Sequence, residues 1–369
     1  MDLFSNIPNI PEKKLHPKFV RLRDGLPIER IIVSEWAKDF VDRDNKFAQE
    51  FQTTFHSSFF ELYLHHYFSS INFQLDYSHN RPDFIISKPK EFYVEAVVAN
   101  IKKDGPPEEL RTDDDLCSMF TPPWDNPNFT SEMDEAIIRY SSAVNSKKGK
   151  YDKQYSKLSW VKPDTPFVIA IASFDQINYG REYIYPMMAL LYGYYYDVKN
   201  KAYISKDSIY KLTAQPGKKA PIELGLFNKP EYKNISAILY TSTLTLGKLT
   251  SLAKSKGLPV LNEIRAVREN CSGYGAHYQL QIVNPECPEI LSDGVFIFHN
   301  PLATNPIDEQ MFMMTTQFFL EENEINILGI ETPLIARLNT VPGYIPNFKI
   351  TEAIRRYNEK EFSEFYDVF

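Results

Sequence analysis

The stretch Arg81-Pro82-Asp83-Phe84-Ile85-Ile86-Ser87-Lys88-Pro89-Lys90-Glu91-Phe92-Tyr93-Val94-Glu95-Ala96-Val97-Val98 decides how this chain is read. Phe84 and Ile86 alternate with Asp83, Ile85 and Ser87. Phe92, Val94, Ala96 and Val98 alternate with Glu91, Tyr93, Glu95 and Val97. A period of two predicts half-buried strands. Lys88-Pro89-Lys90 reads as the turn between them. A hairpin folded symmetrically about Pro89 sets Asp83 opposite Glu95, with Cβ atoms roughly 5 Å apart. Two carboxylates that close repel each other, and a divalent cation relieves the repulsion. Mg²⁺ accepts one or two carboxylates and completes its shell with water and phosphate. The plainer alternative is an Asp that caps a turn and a Glu that faces solvent.

Bulk properties bound the rest. A chain of 369 residues with 43% hydrophobic content can bury one large core or two ordinary ones. The formal net charge of −7 excludes a generally basic nucleic-acid coat and leaves room for a local basic groove. Cys117, Cys271 and Cys287 lie far apart with no Cys-x-x-Cys, which argues against a disulfide framework and a structural zinc site. That usage fits a reducing, cytoplasmic setting. Met1 to Lys14 lacks an apolar signal core, and no run is long enough to span a membrane.

Working outward, residues 1–45 read as an N-terminal arm with prolines at 8, 11, 17 and 27 and a short helix near Val33–Phe40. Phe47, Phe51, Phe55, Phe59, Leu62 and their neighbours predict a helix over 46–70. Residues 103–130 are rich in Pro, Asp and Asn and read as loop. Ser131 and Asp134 open a helix that runs to about Ser156. Pro166 to Ala172 is a continuous apolar run, the pattern of a strand buried on both faces. Further strands are expected at Ile235–Tyr240 and Gly294–Phe298, helical pieces at Met187–Tyr196, and a charged helix over 347–369. Helix, hairpin, helix and buried strand is an α/β order. The expected organisation is an arm (1–45), a core (46–175) and an α/β extension (176–369) that continues the core as one domain.

Glu61, Pro82-Asp83 and Glu95, in that order, resemble the PD-(D/E)XK nuclease superfamily. The resemblance implies a restriction-endonuclease-like mixed sheet flanked by helices, with a large C-terminal α/β extension. It also looks like a bacterial group with Pro-Asp-Phe, a Val-Glu-Ala strand, a helix bearing Ser142-Ala143-x-x-x-Lys147, and a late Asn300-Pro301-x-Ala303 turn. The implied activity is metal-dependent hydrolysis of DNA phosphodiester bonds, with restriction or anti-phage defence as its setting and RNA left open as substrate. The implied metal ligands are Asp83, Glu95, the Ala96 carbonyl and Glu61, holding Mg²⁺ or Mn²⁺. A homodimer and an activating partner protein also stay open.

One departure matters. The superfamily's Glu-x-Lys would put lysine at 97, where this chain has Val97. Either the lysine has moved or the chain no longer cleaves. A lysine supplied by the next helix would be Lys147, with Lys148 and Lys150 as substitutes. Lys148, Lys150 and Lys153, continued by Lys157 and Lys162, could also line a phosphate-contacting strip. Lysine runs on helices are commonly just solvated. An inactive nuclease-like module that binds DNA or serves assembly is therefore the competing reading. Other enzyme signatures are missing: there is no phosphate loop, Gly-x-Gly-x-x-Gly, His-Glu-x-x-His or Gly-x-Ser-x-Gly. His65 and His66 adjoin on a helix and face different ways, and His299 reads as part of a turn.

Overall fold

The computed structural model describes residues 1–8, 10–99, 110, 112, 115, 121–174, 182–212, 219–272, 276–343, 351, 352, 355, 356 and 358. Helices α1 (Pro17–Gly25), α2 (Pro27–Trp36), α3 (Phe47–Thr53) and α4 (His56–Ser70) come first. Strands β1 (Gln74–Asp76), β2 (Phe84–Lys88) and β3 (Phe92–Ala99) follow, then the long helix α5 (Phe129–Lys153) and β4 (Phe167–Ser173). Two small hairpins come next: β5 (Tyr194–Asp197) with β6 (Ala202–Ser205), and β7 (Ser208–Leu212) with β8 (Lys219–Glu223). The chain continues through β9 (Ala237–Thr241), α6 (Leu246–Ser255), β10 (Glu263–Glu269), β11 (Tyr278–Ile282) and β12 (Val295–His299). It reaches β13 (Thr316–Glu321), β14 (Glu324–Leu328) and β15 (Leu334–Thr340).

The fold is α/β, built on an eight-stranded mixed sheet in the order β1-β2-β3-β4-β9-β12-β13-β14. β1, β2 and β3 pair antiparallel, and β4 lies parallel to β3 after the crossover through α5. β9 runs parallel to β4, so strands from the second half of the chain extend the same sheet. A three-stranded sheet, β11-β10-β15, stands apart from it.

Alternation decides which side each residue faces. Phe84, Ile86, Phe92, Val94, Val168, Ala170 and Ala172 pack with α1–α4 and α6. Ile85, Tyr93, Phe167, Ile169 and Ile171 pack on the other face with α5. β4 is buried along its whole length, as its unbroken apolar run predicts. Each fully buried large apolar side chain contributes roughly 1.5–3 kcal/mol, so two covered faces hold the sheet.

Several elements differ from the sequence expectation. The residues expected as an arm carry α1 and α2, and the helix placed near Val33–Phe40 ends at Trp36. The helix expected over 46–70 breaks at Phe55, whose φ of 23° is incompatible with a continuous helix. α5 starts at Phe129, so Ser131 lies inside its first turn and donates to the Asn128 carbonyl at 2.8 Å rather than capping. The Tyr-rich piece is helical only at Tyr185–Met187 and Met188–Tyr192. Gly193, at φ 82°, ends it in a left-handed turn, and Tyr194–Asp197 is strand. In the expected C-terminal helix, residues 351, 352, 355, 356 and 358 are helical and the others lie outside the described residues. So do most of the loop expected at 103–130 and Cys117.

Candidate active site

The hairpin has the expected register. Phe84 pairs with Val94, Ile85 with Tyr93 and Ile86 with Phe92. One step outward, Asp83 stands opposite Glu95, on the face that Ile85 and Tyr93 turn toward α5. The Asp83 Oδ2 accepts the Ala96 backbone N–H at 2.8 Å, which fixes the carboxylate across the strand end. In an extended strand a residue's C=O leaves on the same side as its N–H, so the Ala96 carbonyl also faces the Asp83 side.

Glu95 is 0% exposed. A buried carboxylate needs partners, and α5 supplies them. Lys147 and Lys150, three apart, share one face of its last turns. Each ammonium donates to the Glu95 Oε1 at 2.8 Å. The Tyr155 hydroxyl, just past the helix end, donates to the same oxygen at 3.0 Å. The Glu95 Oε2 is buried and has no hydrogen-bond partner among the described residues. Four charged groups thus meet: two carboxylates and two ammoniums.

The electrostatics split the two acids. Burial, then the Glu95 charge, push the Asp83 carboxyl up to about 6, against the pull of Lys147 and the Ala96 N–H. Burial acts to raise Glu95 as well, but Lys147 and Lys150 outweigh it and hold that carboxyl below its usual value. Burial disfavours the Lys150 charge, and the Glu95 carboxylate more than compensates, so Lys150 stays protonated well above the ordinary lysine range.

The donor set suits a hard cation. Asp83, the open oxygen of Glu95 and the Ala96 carbonyl are all oxygen ligands, the chemistry Mg²⁺ prefers. Among the described residues no group of three or more His, Cys, Asp and Glu side chains is placed to hold a metal. Glu61 accordingly does not join the pair as a third ligand within one cluster. It lies half-buried on α4 and lines a cavity of about 150 Å³ with Arg43, Asp44, Glu50 and Asn80. Burial, followed by the Asp83 charge, pushes Glu61 up to about 8. Arg43 lines the same cavity and pulls Glu61 down against these effects, while donating to the His79 and Asp83 carbonyls at 2.7 and 2.9 Å.

The other sequence candidates separate. Lys148 turns away, pairing with Asp152 at 2.6 Å and lying over the Tyr232 ring, so it is not a base for this site. Lys153 and Lys157 are exposed, and Lys162 pairs with Glu91. Val97 sits on the face beside Glu95 and packs into the α5-side core, where no ammonium could replace it without losing that contact. His65 packs on Phe40 and Tyr77 while His66 lies on Trp36, so the pair shares no ligand. His299 ends β12 as a buried residue, its Nε2 2.9 Å from the Gln317 Oε1. The Asn300 side chain donates to the Tyr232 and Ile235 carbonyls at 3.0 and 2.8 Å, a structural turn that fixes the entry to β9. Sequence reasoning missed Tyr155 and Arg43. Tyr155 had a signal: 147, 151 and 155 are spaced by four, though the helix stops at Lys153. Arg43 had none. Comparison with models of protein families, with curated proteins and with solved structures finds nothing that matches this chain.

Proposed function

We propose that the chain is a metal-dependent nuclease of the PD-(D/E)XK type, acting on DNA, whose lysine has moved from strand to helix. The observation that carries the reading is Glu95: Oε1 is held by Lys147 and Lys150, while Oε2 stays open beside Asp83. The element order supports it. A helix, three antiparallel strands, a helix and a strand parallel to the third form one continuous unit, α4 to β4.

Asp83, Glu95 and the Ala96 carbonyl would hold Mg²⁺ or Mn²⁺. Such an ion, when bound, supplies an acidified water and polarises the scissile phosphate. The chain's own residues do the rest. The Ala96 N–H holds the Asp83 rotamer. Lys147 and Lys150 orient Glu95 and set positive charge where phosphate oxygens would gain negative charge. Tyr155 fixes the back of the same carboxylate. Asp83 is ionised above about pH 6, so cation affinity should rise through that range.

A second reading has two observations in its favour. Two ammoniums already balance two carboxylates, and Val97 leaves the strand without a lysine. A non-catalytic module would keep such a cluster for structure. A single assay divides the two: plasmid and single-stranded DNA are incubated with Mg²⁺ or Mn²⁺, beside Asp83→Ala and Lys147→Ala. The nuclease reading expects cleavage by the wild type and none by Asp83→Ala. Equal cleavage by Asp83→Ala removes the mechanism. Absence of cation binding in calorimetry favours the structural module.

A further inference from the structure

Beside the carboxylates lies an aromatic pair that takes no part in ion binding. His79 lies flat on Trp160, with ring centroids 4.2 Å apart and planes 8° from parallel. Both residues are only half-buried. The Trp160 indole N–H donates to the Arg81 carbonyl at 3.0 Å, two residues before Asp83. Its own carbonyl accepts the Tyr93 hydroxyl at 3.2 Å, two residues before Glu95. The pair is thus tied to both strands that carry the candidate catalytic acids. With Ser78, Asn80, Arg81 and Leu158, the two rings line a cavity of about 390 Å³. Arg81 is exposed, and no carboxylate pairs with it among the described residues.

We infer that this cavity takes one unpaired nucleobase of a single strand, stacked on the His79–Trp160 pair, with Arg81 against the adjoining phosphate. The inference rests on the nuclease reading of the Asp83–Glu95 centre. A base offers a flat π face to an aromatic platform whatever its identity, and an arginine supplies the charge for the backbone. A base inside a duplex has both faces covered by its neighbours, so the platform favours single strands, frayed ends or splayed nucleotides. Its place beside the acids means that a stacked base would set which phosphate reaches them. The indole N–H bond to Arg81 offers a rival explanation, in which Trp160 merely braces the strand that carries Asp83.

The test is binding by the full chain in EDTA, read by fluorescence anisotropy of a short labelled oligothymidylate and of a labelled hairpin duplex. Removing metal keeps cleavage out of the measurement. Trp160→Ala should weaken single-strand binding by about tenfold or more, the ordinary size of a lost stack, and duplex binding by less than about threefold. Trp160→Phe keeps a ring and loses the N–H, and should stay within about threefold of wild type for the single strand. His79→Ala supplies a second variant that leaves the indole bond intact and should also weaken single-strand binding. Unchanged single-strand affinity in folded Trp160→Ala and His79→Ala overturns the platform. So does a loss in Trp160→Phe as large as in Trp160→Ala, which assigns the role to the N–H brace. Selective single-strand binding without Mg²⁺-dependent cleavage keeps the platform and rejects the nuclease reading.

Discussion

Two buried carboxylates, Glu95 and Glu289, are each met by two cations, and they end in different states. Glu289 lies between α6 and β15. Arg337 grips it with Nε and Nη2 at 2.6 and 2.5 Å, Lys248 pairs with it at 2.8 Å, and Ser251 donates at 2.5 Å. Lys248 spends its other donors on the Ile290 and Asp293 carbonyls, both at 2.8 Å. Both oxygens of Glu289 are occupied. Burial would raise this carboxyl, yet Arg337 and Lys248 overcome it and hold it down at about 2. Glu95 keeps one oxygen without a partner and has a second acid beside it, held up at about 6. A network built for structure closes its hydrogen-bonding capacity. One built for chemistry leaves capacity open and separates the pKa values of neighbouring groups. The contrast separates a strut from a candidate site more cleanly than burial does, because both carboxylates are fully enclosed.

Breaking the strut should have the largest effect. Glu289→Ala leaves Lys248 and Arg337 buried without their anion, and should cost roughly 3–5 kcal/mol of stability, read by urea unfolding. Removing a carboxylate at the site should do the reverse. Asp83→Asn keeps an oxygen for the Ala96 N–H and removes the repulsion with Glu95, so the protein should gain roughly 1–3 kcal/mol at pH 8. The same variant should lose Mg²⁺ binding in calorimetry. The sign follows from the shift: Asp83 is raised from its usual 3.8 to about 6, so its contribution is fully present below about pH 4 and is lost as pH rises through 6. The advantage of Asp83→Asn should therefore appear between pH 4 and 6 and stay level above. Glu289 has the opposite sign, since its contribution is present above about pH 4.5 and is lost as pH falls toward 2. A destabilising Asp83→Asn change would put Asp83 in the same class as Glu289.

How much of this was legible depended on whether the signal was local. Period-two alternation on both sides of Pro89 determined the hairpin, its register and the meeting of Asp83 with Glu95, because one turn separates the two strands. The apolar run Pro166–Ala172 revealed a doubly covered strand because the whole pattern lies within one segment. Lys147 could be named because helical spacing fixes which residues share a face, but spacing alone could not choose among Lys147, Lys148 and Lys150. Tertiary contact chose: Tyr232 and Asp152 draw Lys148 away, and Glu95 takes the other two. The joining of β9, β12, β13 and β14 to the same sheet was not legible, since those strands lie far along the chain and show only their own apolar runs. The Lys248–Glu289–Arg337 network was invisible for a similar reason. Its members are spread over ninety residues and none carries a local pattern.

The lysines sharpen the comparison at smaller scale. If both serve only to neutralise Glu95, Lys147→Ala and Lys150→Ala should destabilise alike. If one also acts on a bound phosphate, the two should diverge in Mg²⁺-dependent cleavage while staying close in stability. Lys147 is the more buried of the pair, with a side chain 17% exposed against 38% for Lys150. Lys147→Ala should therefore lower cleavage by about 10²-fold, the cost of removing one well-placed donor of positive charge, and Lys150→Ala by less.

Glu61 should give the smallest effect on cleavage and still be informative. It is raised to about 8 by burial and by Asp83, so it is mostly protonated at neutral pH. A protonated acid is not yet a metal ligand, and Glu61→Gln copies its neutral form. The variant should match wild type in stability below about pH 4.5, pull ahead between pH 4.5 and 8 as the unfolded chain ionises and the folded one does not, and stay level above, ahead by roughly 2–5 kcal/mol. Cleavage at pH 7 should change by less than about threefold, within the range of a residue that acts on the site through charge alone. A loss of Mg²⁺ binding in Glu61→Gln comparable to that of Asp83→Asn would make it a ligand after all. The α4 carboxylate would then have to move toward Asp83 when the ion binds, and the open oxygen of Glu95 would be one part of a three-acid centre.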